Sequence, residues 1–207
     1  MSYCLKAIVL AAGLSTRMGQ FKLLMRWVDG QPIIAHVVSK LISLPLDSTV
    51  IVTGHRAREI EQALKSFEVR FVHNPHYATG EILSSLQAGI KHLPSNVDGV
   101  LVLPADLPRI PTHVIKQVMQ AYVSDAIVVP RYKSRRGHPV IFAHCYWESL
   151  LALPFDSMPR EIMTKHQNAV RWVDVDTDAI FADVDTPTTY EREFQRALLE
   201  QSEDSDS

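Results

Sequence analysis

Cysteine is nearly missing from this chain of 207 residues: Cys4 and Cys145 are the only two, and neither belongs to a CxxC pair. Two thiols in unrelated contexts make no disulfide framework, and they exclude the usual cysteine spacings for zinc or redox chemistry. Long apolar runs are missing too, since no stretch approaches the ~20 residues of a membrane-spanning helix. The opening MSYCLKAIVLAAG lacks a basic start and runs directly into glycine, so it reads as a buried strand and not as a signal peptide. A reducing, cytoplasmic setting is expected, with no membrane partner. Charge of one sign is also lacking. The formal net charge of −2 leaves no global basic field for long nucleic acid, although a small anion needs only a local positive pocket. No internal repeat or linker divides the chain. One domain is expected over residues 1–198, followed by an acidic, serine-bearing flexible tail at 199–207.

What is present is an alternation of two patterns. Short apolar runs rich in β-branched residues occur at 7–10, 49–53, 69–72, 99–103, 126–129, 139–142 and 170–173. Without clean polar alternation, such runs suit strands covered on both faces. Helical spacing marks 32–44, 57–67, 82–93 and 112–123, with Thr112 a candidate cap. Strands alternating with helices imply βαβ units, hence an α/β fold with a mostly parallel sheet. The pair of strands joined by RYKSRRG after residue 125 reads as an antiparallel addition, which makes the sheet mixed.

The stretch directly after the first strand is the most informative: LAAGLSTRMGQFKLL, residues 10–24. Ligands of open α/β sheets bind beyond the carboxyl ends of strands. The small residues Ala11, Ala12 and Gly13 after Leu10 let the backbone approach a ligand. Ser15 and Thr16 add hydroxyls, Arg17 a fork suited to phosphate, and Lys22 a compact charge. This is neither a Walker A nor a GxGxxG motif, and a solvated loop with incidental charges is the plain alternative. Two acids offer the complement. Asp106 ends the buried run VLVLPAD, and Asp185 lies in DVDTP, residues 183–187. Together they suit Mg²⁺, which takes one or two carboxylates plus substrate phosphates. Alone, Asp185 before Thr-Pro also reads as the start of a helix.

LAAGLSTRMGQFKLL resembles the nucleotide-binding signature LAAGxSxRMGxxKLL of the MobA-like nucleotidyltransferases, and within them the molybdenum cofactor cytidylyltransferase branch. The resemblance implies a Rossmann-like three-layer nucleotidyltransferase fold. It also implies a Mg²⁺-dependent enzyme that moves CMP from CTP, or another NMP from its NTP, to a molybdopterin-type acceptor with release of pyrophosphate. Carried over, Arg17, Lys22 and Asp106 are catalytic. Leu10, Ala11, Ala12, Gly13, Ser15, Arg17 and Lys22 bind nucleotide, and Asp106 and Asp185 hold Mg²⁺, with Asp183 a weaker candidate. The segment 74–86 is similar to the family's NPxxxxGxxxSL and adds Gly80, Ser84 and Ser85 to the nucleotide set. Arg136, Gly137 and His138, resembling a GHPxxF segment beside a basic patch, are the acceptor-binding candidates; His138 either holds the acceptor or shapes its loop.

One region departs from the family pattern. Where a GDxGAR-type segment is expected, residues 154–163 read PFDSMPREIM, which keeps only Asp156 and Arg160. Two alternatives therefore stand beside the main reading: transfer to another phosphorylated small molecule, or a non-catalytic nucleotide-binding cofactor chaperone. A molybdoenzyme or chaperone is the implied protein partner.

Overall fold

Runs of Val, Ile and Leu that need cover on both faces fill the middle of one sheet. The computed structural model describes residues 3–79 and 82–205. β1 (Leu5–Ala11) is central, parallel to β2 (Ser48–Thr53) on one side and to β4 (Gly99–Pro104) on the other. β3 (Arg70–His73) extends the parallel set beside β2. Beyond β4 the direction reverses: β7 (Val140–Ala143) is antiparallel to β4, and β5 (Ile127–Tyr132) is antiparallel to β7. β6 (Arg135–Arg136) folds back on β5 through Lys133 and Ser134, both in left-handed backbone as a tight hairpin demands. β8 (Val170–Asp174) pairs in parallel with β5. The eight-stranded sheet runs β3-β2-β1-β4-β7-β5-β6, with β8 on β5. It is the mixed, mostly parallel sheet expected.

α1 (Ile33–Ile42) and α2 (Ala57–Ala63) connect β1 to β2 and β2 to β3; α3 (Ile82–Ile90) returns the chain to β4. Strand order reverses direction at β1, so right-handed crossovers put α1 and α2 on one face and α3 on the other. Gly89 brings α3 so close to the sheet that a Cβ there would lie 2.8 Å from Ile8 Cδ1. Ala7, Ile8 and Val9 of β1 and Val100 and Leu101 of β4 are fully buried between these layers.

Several expectations need correction. α2 stops at Ala63, because Leu64 opens a turn closed by the Phe67 N–H on the Leu64 carbonyl at 2.9 Å. α4 (Thr112–Gln120) is capped at Pro111, whose extended backbone makes the entry turn; Thr112 is already helical and caps nothing. The short helices α5 (Trp147–Ala152) and α6 (Arg160–Lys165) had no visible period. α7 (Pro187–Ser205) runs through most of the segment expected as a flexible tail. Glu193 and Glu200, two turns apart on one face, both pair with Arg109 and hold that end of the helix to the body. Among the described residues, no helix is long and apolar enough to cross a membrane.

Candidate functional site

β1 delivers the chain into the cationic loop at the point where the parallel strands diverge. Ser15 (φ 56°) and Gly19 (φ 69°) adopt left-handed backbone on either side of one 3-10 turn, Thr16–Met18. Met18 is buried and fixes this turn to the core, which leaves Arg17 outside. Phe21 and Leu23 are also buried, so Lys22, held between two core anchors, is drawn inward and is only 8% exposed. The Ser15 hydroxyl accepts the Lys22 N–H at 3.4 Å and ties the loop's two halves together. A Cβ on Gly13 would meet nothing within 4 Å, so the backbone there borders open space.

Asp106 leaves β4 beside this loop; the Ala105 N–H donates to the Leu10 carbonyl at 3.0 Å. Lys22 Nζ donates to Asp106 Oδ2 at 2.6 Å and also to Asp185 Oδ1, and Arg17 donates to Asp185 Oδ2. The Val184 N–H donates to the Asp106 carbonyl at 3.0 Å, which joins the two acid segments by backbone. One carboxylate oxygen each from Asp106, Asp183 and Asp185 lie within 4.8 Å of one another. The helix-start reading of Asp185 falls to its neighbour: the Thr186 hydroxyl accepts the Thr189 N–H at 3.1 Å. Asp185 is left with its carboxylate on the two cations.

The electrostatics follow from crowding. Burial alone would push the Asp185 carboxyl up, but Lys22, then Arg17, outweigh it and hold it below the ordinary range. Burial, then the charges of Asp185 and Asp106, push Asp183 above that range. Burial would lower the Lys22 ammonium; Asp106 and Asp185 reverse this and raise it. Three acids set against the two cations Lys22 and Arg17, all offering oxygen, form a donor set that fits a hard divalent cation.

A cavity of about 450 Å³ opens beside the acids. Its walls are mostly apolar, among them Leu10, Leu86, Val102 and Phe142, while Asp106, Asp183, Arg135, Arg136 and Arg160 bring charge. Gly137 fits because it has no side chain: a Cβ would lie 2.3 Å from the Ile180 carbonyl oxygen. The His138 N–H donates to that same oxygen at 2.7 Å. His138 lines the cavity, and the residue as a whole is half-buried. Its Nδ1, however, is enclosed and has no hydrogen-bond partner among the described residues. Burial pushes the imidazole down to about 4, against the pull of Asp106, so the ring is neutral near pH 7.

The structure thus brings Leu10, Lys22, Arg17, Asp106, Asp185, Arg136, Gly137 and His138 to one end of the sheet. Ser84 and Ser85 are buried, and the hydroxyl of each accepts from Asn74 Nδ2 at 3.0 Å, which ties them to the loop after β3. Gly80 lies outside the described residues. Asp183, the weaker candidate from sequence, stands in the same acid cluster as Asp185, and its i, i+2 spacing from Asp185 was a usable signal for that in extended chain. Met158, Met163 and Phe181, which line the cavity, carried no signal.

Fold and site together define a class: an α/β protein with a phosphate-type loop and an acid cluster at the switch point of its sheet, the frame of a nucleotide-handling enzyme. Residues 7–170 match the MobA-like NTP transferase domain. The chain belongs to that nucleotidyltransferase family. It is similar to the molybdenum cofactor cytidylyltransferase of Escherichia coli K12, at 24% identity over 185 residues, 88% of this chain and 92% of that protein. Its fold is shared by a nucleotidyl transferase from Methanothermobacter thermautotroptrophicus, with a TM-score of 0.83 and 21% identity over 95% of this chain and 99% of that one. Rv0371C from Mycobacterium tuberculosis H37Rv, in complex with manganese, superposes with a TM-score of 0.78 and 21% identity over 93% and 98% of the two chains.

Proposed function

We propose that the protein is a Mg²⁺-dependent cytidylyltransferase that moves CMP from CTP onto a phosphate of a molybdopterin-type acceptor and releases pyrophosphate. The observation that carries the reading is the meeting of Lys22 and Arg17 with Asp106 and Asp185, beside the 450 Å³ cavity that Asp106 and Asp183 line. The similarity to the E. coli cytidylyltransferase supports the substrates, and the manganese complex of Rv0371C supports a divalent ion.

In this reading Asp106 and Asp185, with Asp183 beside them, hold the metal. When bound, it neutralises phosphate charge and lowers the barrier to in-line transfer. Leu10, Ala11, Ala12, Gly13 and Ser15 border the nucleotide. Arg17 and Lys22 exchange their acid partners for triphosphate oxygens and stabilise charge on the leaving group. An acceptor phosphate oxygen forms the new bond to the α-phosphorus, the α–β bridging bond breaks, and its electron pair leaves on pyrophosphate. Arg136 and Arg160 draw the anionic acceptor in, His138 offers it a neutral ring nitrogen, and the apolar walls keep competing water out. Transfer to a different phosphorylated small molecule is the second reading. It is favoured by the departure at 154–163, where Met158, Pro159, Arg160 and Met163 line the cavity.

A pyrophosphate-release assay crossing CTP, GTP, ATP and UTP with molybdopterin-type and sugar-phosphate acceptors tests both. CTP with the molybdopterin-type acceptor is expected to be turned over best, and Asp106→Ala to lose on the order of 100-fold or more in rate. Parent-level release by Asp106→Ala rejects the assigned site; turnover of only another acceptor selects the second reading. CTP is also expected to raise Tm most among the four nucleotides, by mass action.

A further inference from the structure

The loop that carries Asp106 is also held by groups outside the residues assigned above. Arg109, three residues on, is 4% exposed. Its guanidinium donates through Nε to Glu193 Oε2 at 2.8 Å, through Nη1 to Glu200 Oε1 at 2.6 Å, and through Nη2 to Asp178. Glu193 and Glu200 belong to α7, and Asp178 opens the 3-10 turn Asp178–Phe181. These two elements flank the segment 182–186, which carries Asp183 and Asp185. One side chain therefore joins the Asp106 loop to the structures at both ends of the other acid segment. Lys40 on α1 adds a second grip by donating to the Pro108 carbonyl at 2.7 Å and the Ile110 carbonyl at 2.9 Å, on either side of Arg109. Arg196 holds Asp178 in turn, with two contacts of 2.9 Å.

Buried ion pairs contribute little net stability, because desolvation offsets the attraction. A planar guanidinium with three separate carboxylate partners does fix direction, which a lysine cannot reproduce. We propose that Arg109 is a positioning residue for divalent-metal binding: through its three carboxylate contacts it sets where Asp106 stands relative to Asp183 and Asp185. The inference rests on the metal reading of those acids given above.

The test is a manganese titration of nucleotide-free protein, with free Mn²⁺ read by electron paramagnetic resonance and Tm measured alongside. Arg109→Lys keeps the charge and loses the fork. It is expected to weaken manganese binding about tenfold while still melting cooperatively, the size typical for groups that orient metal ligands. An affinity within about twofold of the parent, outside that range of effects, overturns the proposal and leaves Arg109 a fold-holding residue. Asp106→Ala in the same titration separates the two layers. If it binds no manganese while Arg109→Lys binds normally, only the role of Arg109 fails. If Asp106→Ala binds like the parent, or the parent takes no manganese, the metal reading fails and the proposal with it. Should Arg109→Lys not melt cooperatively, Glu200→Gln replaces it, because that side chain is half exposed and holds a single arm of the guanidinium. About a threefold loss of affinity is then expected, smaller than the ~10-fold typical of a lost outer contact because two of the three arms remain, and an unchanged affinity overturns the proposal.

Discussion

Lys22 stands where two functions compete for the same carboxylates. Its ammonium bridges Asp106 and Asp185, so a divalent ion approaching those acids must displace it. A triphosphate, by offering Lys22 other oxygens, makes that displacement easier, and metal and nucleotide binding are expected to help one another. Lys22→Met should therefore bind manganese more tightly than the parent in the absence of nucleotide, by about tenfold, or ~1.4 kcal/mol, while losing pyrophosphate release. Weaker manganese binding in this variant would show that the lysine does not compete for the acids. At this scale the candidate residues readable from sequence were those in local motifs: Arg17 and Lys22 follow a strand at fixed offsets, and Asp106 ends one. Arg109 was not readable, because its meaning lies in three partners brought together by the tertiary fold. Nor was the role of Thr186, since Asp185 and Thr186 are both good helix-start residues and only the contacts separate them.

Among the elements, the 3-10 turn Asp178–Phe181 depends on a neighbour with no side chain. Gly137 abuts the Ile180 carbonyl so closely that Gly137→Ala must shift backbone and not merely a side chain. Overpacking of this kind is expected to cost about 1–3 kcal/mol of stability, read as a lowered urea midpoint with unchanged m-value. An unchanged midpoint would mean that the segment yields without cost. The strands were legible because each is a continuous apolar run, and β1, β2 and β4 fall within two or three residues of their expected bounds. The helix ends were less so. Leu64 to Phe67 continues the apolar spacing of α2 but closes a turn, because a pattern of burial does not by itself say which hydrogen bonds are made. α5 and α6, six residues each, are too short to show a period.

For the whole molecule, the half-buried His138 ring links stability to acidity. Its folded pKa of about 4 lies below the ordinary value of 6.5. Between those two values the unfolded chain binds a proton that the folded chain refuses, so stability falls as pH drops through this window and is unaffected above it. The loss should approach about 3 kcal/mol at the lower end. Equilibrium unfolding at pH 7 and at pH 4.5 measures it, with His138→Gln as the comparison; equal acid sensitivity in the two proteins would place the effect elsewhere. The alternation of strand and helix made the parallel half of the sheet readable from the chain, whereas the sequence pattern could not say that β7 slips between β4 and β5. That insertion has a geometric effect of its own. Val140 at the start of β7 pairs with Val102 near the end of β4. An antiparallel strand presents its entrance where its parallel neighbours present their exits. Arg136 to His138 arrive at the crevice as the chain comes in, and Asp106 arrives as the chain goes out. Each side of the crevice can therefore change in length or composition without pulling on the loop that furnishes the other.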